Sequence, residues 1–255
     1  MRNSDILILG GGFAALRYVE SLIWTEKHIS LCGTGVLKKT IQLSKQFGLP
    51  YLEFKDLTPS AINGFDCVIV TLPVSVKREY VGRILHDLQY RNALIVEKPL
   101  ALDKDDILFY ERTLTQLDQC AVVCQRDFFP AQYDISVSQH YQILFPSYET
   151  DPGFNKTHML PHVLSWLLAV DDSLTGLHLE DGLYSGVWRG APLTLRFVDR
   201  RHCPSATING REYPNVQYRE VNHRIVDQVL SFSKEQTLTN IRRAVKVSEI
   251  ITALS

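Results

Sequence analysis

The 255-residue chain carries almost no excess charge, with 27 Lys and Arg against 28 Asp and Glu. No global field is therefore available to hold nucleic acid or an anionic membrane, neither is expected as a partner, and an anionic ligand must be met by local groups. Cysteine is scarce: the five residues Cys32, Cys67, Cys120, Cys124 and Cys203 are an odd number, which excludes a fully paired disulfide framework. Three of them fall in apolar runs where a free thiol behaves as a small hydrophobe, which suits a reducing cytoplasm. Cys120 and Cys124 stand four apart, but only Cys203 follows and no ligand pattern surrounds it, so no metal site is expected. Nowhere are there the roughly 18 consecutive apolar residues of a membrane span. The N-terminal MRNSDILILGGG is a short apolar run broken by glycines with no small-residue cleavage site, and it reads as a strand rather than a signal peptide. Internal repeats, charge blocks and low-complexity linkers are also missing.

What is present is alternation. DILILG, HISLCG, DCVIVTLP, NALIVEKP and CAVVCQR are short and apolar throughout, and amphipathic segments separate them: FAALRYVESLIWTE, VLKKTIQLSKQFG, VKREYVGRILHDLQY and KDDILFYERTLTQLD. Wholly apolar strands between amphipathic helices describe an α/β domain, a doubly wound parallel sheet covered on both faces. The alternation stops near Cys124. Beyond it come a helix-like THMLPHVLSWLLAV, strand-like SGVWRG, PLTLRFVDR and SATINGREYP with an Asn-Gly turn, and closing helices. The expected organisation is a dinucleotide-binding domain over residues 1–124 and a smaller α+β domain over 125–255, packed closely together.

ILILGGGFAAL fits G-x-G-x-x-A at the first strand-to-helix turn. There Gly10 permits a tight turn, Gly12 lets the backbone approach a pyrophosphate, and Ala15 lets helix and strand pack closely. The pyrophosphate would rest on the positive end of the helix starting near Phe13 and Ala14. The alternative is a glycine turn without a ligand. An Asp or Glu ending the second strand would bind the ribose 2′-hydroxyl and repel a 2′-phosphate. Here that strand ends in Gly33-Thr34-Gly35, with Lys38 and Lys39 following. Thr34 and Lys38 are therefore expected to favour NADP(H) over NAD(H).

The order of motifs, G-x-G-x-x-A, then VIVTLP, then VEKPLAL, then VCQRDFFPA, resembles the Gfo/Idh/MocA family, the glucose-fructose oxidoreductase and inositol dehydrogenase relatives. The resemblance is strongest over residues 5 to 131. It implies a Rossmann domain joined to an α+β domain with an open sheet, and a nicotinamide-dependent oxidoreductase. It also implies roles for residues. Lys98, after Glu97 in E-K-P, would lie beside the nicotinamide and the substrate hydroxyl and relay or polarise the proton, with Pro99 often in a cis peptide. A lysine at the carboxyl edge of a parallel sheet faces the crevice where ligands bind, which is chemically consistent. Thr71, Leu72 and Pro73 match the turn that lines the cofactor. Lys77 stands where His is common, at a position expected to be peripheral. Gln125 and Arg126 match a polar pair at the nicotinamide end, where the domains meet.

The family's D-x-x-x-H-x-x-D pattern on the first helix of the second domain has THMLPHVLSW as its counterpart. That alignment gives His162 the proton-transfer position, puts His158 where the first Asp is expected and Ser165 in place of the last Asp. Pro161 points to a helix starting there, which would spoil the His158 to His162 spacing. The second domain is also expected to be too short for a large sheet, and Trp188, Arg189, Arg196, Arg200 and Arg201 are its candidate anion contacts. The function implied is hydride transfer between nicotinamide and a hydroxyl, keto or imine group of a small polar substrate such as a sugar, nucleotide sugar or biosynthetic intermediate. The alternative is a catalytically inactive dinucleotide-binding sensor or scaffold, and a homo-oligomer, dimer or tetramer, is expected in either case.

Overall fold

The computed structural model describes residues 4–35, 38–128, 135–149, 151–213 and 217–254; Phe129, Pro130 and Ala131 of the VCQRDFFPA motif lie outside them. The chain divides into two compact units. The first comprises Met1–Ala101, Asp105–Val123 and Gln217–Arg242, the second Leu102–Lys104, Cys124–Val216 and Arg243–Ser255.

In the first unit, β1 (Asp5–Leu9), α1 (Phe13–Leu22), β2 (His28–Gly33), α2 (Lys39–Phe47), β3 (Tyr51–Glu53), α3 (Pro59–Ile62), β4 (Cys67–Val70), α4 (Val74–Gly82), β5 (Ala93–Glu97), α5 (Lys104–Leu114) and β6 (Cys120–Val123) alternate along the chain. All six strands are parallel, in the order β3-β2-β1-β4-β5-β6. Val, Ile, Leu, Ala and Cys make up β1, β4, β5 and β6 on both faces except for Asp5 and Glu97 at strand ends, and the sheet's centre is fully buried. The strand order reverses between β1 and β4, and the crevice outside the carboxyl ends of those strands is where such sheets take ligands. Ala15, Tyr18, Val19 and Leu22 form the buried stripe of α1. β3 is absent from the sequence expectation because it is three half-buried residues at the sheet's edge.

Two further helices, α8 (Tyr218–Leu230) and α9 (Lys234–Ala253), follow much later in the chain, yet α8 and the first half of α9 belong to the first unit. The boundary after residue 124 therefore does not describe them. The Ser21 hydroxyl donates to the Arg219 carbonyl at 2.9 Å and accepts from the His223 amide at 2.9 Å. Lys27 pairs with Asp227 at 2.6 Å. The side chains of Thr237 and Asn240 accept the backbone N–H groups of Cys120 and Val122 at 3.1 and 2.7 Å, so the unpaired edge of β6 is capped by a helix rather than left to recruit another strand.

The second unit holds β7 (Tyr141–Ser147), α6 (Pro152–Phe154), α7 (Leu160–Val170), β8 (Thr175–Glu180), β9 (Leu183–Trp188), β10 (Ala191–Asp199), β11 (Ala206–Ile208) and β12 (Arg211–Tyr213). Its strands form a mixed sheet in the order β12-β11-β7-β10-β9-β8, with β7 and β10 parallel. Six strands fit into this short segment because Asp181-Gly182, Arg189-Gly190 and Asn209-Gly210 each take positive φ at both residues, the two-residue turn that matches strand twist. Only the last is anticipated from the sequence. Trp166, Trp188, Tyr141, Leu193 and Leu195 are buried at its centre.

Candidate cofactor site and its polar neighbours

The parallel register lines up three loops. Leu9 pairs with Val70, and Val70 with Val96, so the residues that follow, Gly10, Thr71 and Glu97-Lys98, leave the sheet in one row at its carboxyl edge. Gly10 turns at φ +118, and a Cβ there would stand 2.5 Å from the Thr71 hydroxyl. That hydroxyl donates to the Leu9 carbonyl at 2.9 Å and ties the ends of β1 and β4 together. A Cβ on Gly11 would meet the Thr40 amide nitrogen at 2.4 Å, so α2 begins hard against the loop. Gly12 differs: nothing lies within 4 Å of its missing side chain. It caps α1 without a side-chain bond, and no acid occupies the first turn. Open space beside uncapped N–H groups fits a pyrophosphate, and the anion would supply the missing cap. Phe13 is exposed with Arg17 over its ring at 4.6 Å, and Ala14 is half-buried beside fully buried Ala15. Leu72 is buried, while Pro73 is exposed and starts α4.

The E-K-P turn is held from beneath. Lys77 is 1% exposed, and its ammonium donates to the carbonyls of Glu97 and Pro99, the latter at 2.6 Å. The expectation that Lys77 is peripheral is thus corrected: the start of α4 turns this side chain inward, where it grips both neighbours of Lys98. The sequence carries a signal for it in Lys77 following Pro73 by four residues, one helical turn into α4. Lys98 is half-buried, and the Lys98–Pro99 peptide is cis. Burial pushes the Glu97 carboxyl above the ordinary range, opposed by Lys98, the Tyr18 hydroxyl and Lys77.

At the other end of the row, Thr34 is half-buried, Gly35 is exposed with φ +79, and Lys38 and Lys39 are exposed at the start of α2. β2 ends without an acid, but β3 beside it ends in Glu53, a residue the sequence reading passes over.

The second unit gathers the remaining candidates. Gln125 and Arg126 open a short helical turn directly after Cys124, and both are 4% exposed. The Arg126 guanidinium lies over the rings of Trp166 at 4.9 Å and Phe145 at 5.4 Å. The Gln125 side-chain oxygen is buried with no hydrogen-bond partner among the described residues. His158 falls in a wide helical turn, Asn155–Met159, that precedes α7. It is exposed, with its ring 4.7 Å from that of Phe154. His162 is half-buried in the first turn of α7, beside Pro161. The helical path continues through Pro161, but the wide turn breaks the regular four-residue spacing. Trp188 is no anion contact: it is fully buried, and its indole donates to the Asp171 carbonyl at 2.8 Å. Arg189 donates to the Ile135 carbonyl at 2.7 Å, and Arg201 pairs with Asp199 at 2.5 Å. Arg200 bonds the Tyr148 hydroxyl, and Arg196 is exposed.

Comparison of the sequence with known families and with curated proteins finds no match. Solved structures do match. An oxidoreductase from Thermotoga maritima gives a TM-score of 0.69 at 14% identity, over 99% of this chain and 96% of that one. Scyllo-inositol dehydrogenase from Lactobacillus casei, with NAD(H) and scyllo-inositol bound, gives 0.66 at 11% identity, over 99% and 96%. UDP-N-acetylglucosamine 3-dehydrogenase from Acidithiobacillus ferrooxidans gives 0.64 at 9% identity, over 100% and 99%. The chain therefore has the two-part fold of these dehydrogenases, the fold that its motif order leads one to expect. Among the described residues, no helix is long and apolar enough to cross a membrane.

Proposed function

We propose that the protein is a nicotinamide-dependent oxidoreductase acting on a hydroxyl, keto or imine group of a small polar substrate, a sugar or nucleotide sugar among them. The observation that carries this reading is the row at the sheet's carboxyl edge, with the open Gly12 and uncapped α1 at one point and Lys98, gripped through its neighbours by Lys77, at another. Gly10, Gly12, Phe13, Ala14 and Ala15 would hold the pyrophosphate, with Thr71, Leu72, Pro73 and Glu97 lining the cofactor. When bound, the nicotinamide supplies hydride exchange. Lys98 moves the proton: in reduction its ammonium polarises the substrate's oxygen or nitrogen and gives it the proton as that atom gains charge, and in the reverse direction the neutral amine takes the proton back. His162 is its partner in that transfer, His158 a lesser one, and Gln125 and Arg126 serve the nicotinamide end.

The solved neighbours support the substrate class, since one holds an inositol with its cofactor and another is named for a nucleotide sugar. Homo-oligomerisation and a cytoplasmic setting belong to the same reading, and all five cysteines are free thiols. The choice of dinucleotide turns on charge near Gly35: Thr34 and Lys38 favour the NADP(H) expected from the sequence, and Glu53 opposes it.

A second reading, a dinucleotide-binding sensor or scaffold without turnover, draws on exposed His158 and on Ser165 in place of an acid. Fluorescence titration with NADH and NADPH, followed by panels of polyols, nucleotide sugars, keto acids and imines monitored at the nicotinamide absorbance, separates the two. Binding with turnover is expected. Binding without turnover on any panel supports the sensor, and no binding removes both.

A further inference from the structure

We propose that Glu53, at the end of β3, supplies the acid that β2 lacks, and that it selects NAD(H) against NADP(H). The inference rests on the cofactor reading above and reverses the preference expected from the sequence. Glu53 is in register with Gly33, so β3 ends level with β2. A Cβ on Gly33 would stand 2.3 Å from the Tyr51 hydroxyl, which means that the phenol lies across the end of β2. That hydroxyl donates to Glu53 Oε1 at 2.6 Å and fixes the carboxylate. Burial, reinforced by Glu53, pushes the Tyr51 phenol up to about 12, so it remains a donor at neutral pH.

The second oxygen is the informative one. Glu53 Oε2 would be 3.5 Å from a Cβ on Gly35, which places the carboxylate against the connection between β2 and α2. An acid ending β2 is the group that meets the ribose 2′-hydroxyl in dinucleotide domains. Oε2 is buried and has no hydrogen-bond partner among the described residues. A buried carboxylate oxygen left without a donor is costly. A 2′-hydroxyl has a proton to give, and exposed Gly35 has no side chain to stand in its way. A 2′-phosphate has the opposite character, bringing about two negative charges to a fixed carboxylate. Lys38 and Lys39 would attract it, but both are exposed on long stems, where water solvates the charge. The anchored acid outweighs them.

The test is fluorescence titration of the intact chain with NADH and NADPH, for the native protein and for Glu53→Gln. NADH should bind the native protein at least tenfold more tightly than NADPH, and the substitution should reduce that ratio at least tenfold, mainly by improving NADPH. Should Glu53→Gln fail to fold, competition of bound NADH by 5′-AMP and by 2′,5′-ADP on the native protein tests the selection against a 2′-phosphate: 5′-AMP should be the stronger competitor, and a stronger 2′,5′-ADP would overturn the proposal. Both dinucleotides binding with NADPH preferred, or with a ratio that Glu53→Gln leaves unmoved, would overturn the role of Glu53 alone. Failure of both to bind would overturn it together with the cofactor reading.

Discussion

The two units present their polar groups by different means. In the first, Gly10, Thr71 and Lys98 follow strands locked by parallel register, so positions far apart in the chain arrive in one row. In the second, His158 and His162 lie on helical turns of unequal width, and Arg126 sits in a short turn under aromatic rings. A motif at a strand end keeps its meaning because hydrogen-bond register fixes where the next residue emerges. A motif on a helix keeps its meaning only while the turns stay regular. Chemistry should accordingly depend more on the strand-end lysine than on the helical histidines.

The largest expected effect breaks that comparison or upholds it. Lys98→Met should leave fold and dinucleotide affinity in place while lowering turnover by about 10²- to 10⁴-fold, the usual contribution of a positioned acid or base. His162→Gln should cost less, and His158→Gln, exposed against Phe154, least of all. Steady-state rates for the three variants on one substrate check the order; a His162 loss exceeding that of Lys98 would put the principal proton donor in the second unit.

Next come the adjacent glycines, which look alike in sequence and differ in space. Gly11→Ala drives a methyl into the backbone of Thr40, 2.4 Å away. Overpacking of this kind costs about 1–3 kcal/mol, and because the obstacle is backbone the start of α2 must shift. Gly12→Ala meets nothing in the free protein, so its melting temperature should hold while NADH affinity falls. Thermal denaturation read beside a titration distinguishes them. A Gly12→Ala protein with native NADH affinity would mean that the pyrophosphate lies elsewhere.

Much of the first unit was legible in the sequence, because apolar strands buried on both faces leave a plain pattern and the glycine loop and E-K-P fall at their ends. Glu53 was not legible. β3 is three half-buried residues, too short to show a period, and an acid at its end reads as solvated until the neighbouring Gly33 and Gly35 bring it into place. Lys77 was misjudged because lysine is rarely buried unless paired, and its partners are carbonyls that no sequence displays. α8 looked like part of the second domain because nothing in an amphipathic stripe names the surface it covers. Arg189 and Trp188 looked like ligand contacts, yet both serve hydrogen bonds to nearby carbonyls within their own unit.

Lys77 sharpens the comparison from beneath the strand end. Lys77→Met removes the donor shared by the carbonyls of Glu97 and Pro99. Loss of a charged bond to buried acceptors should destabilise the protein by about 1–3 kcal/mol in chemical denaturation. Because those carbonyls flank Lys98, kcat should fall several-fold with NADH affinity unchanged. Lost stability with an unaltered kcat would make Lys77 a purely structural clamp.

The smallest effect concerns pH. Glu97 is 6% exposed, and burial holds its carboxyl above the ordinary value of about 4.3, although Lys98, Tyr18 and Lys77 pull the other way. Between the ordinary value and the raised one, the folded protein retains a proton that the unfolded chain has released. Stability must fall as pH rises through that window, because the native state binds more protons there than the unfolded state. The contribution is complete below about pH 4.3 and lost once pH passes the raised value. Glu97→Gln keeps the shape and cannot titrate, so its unfolding free energy should fall less steeply with pH than that of the native protein. Urea denaturation at half-unit steps from pH 4 upward measures the difference. Parallel curves would mean that the three opposing groups cancel the effect of burial and that Glu97 titrates in the folded state as in the unfolded chain, placing a fixed negative charge at neutral pH one residue from the lysine that moves the proton.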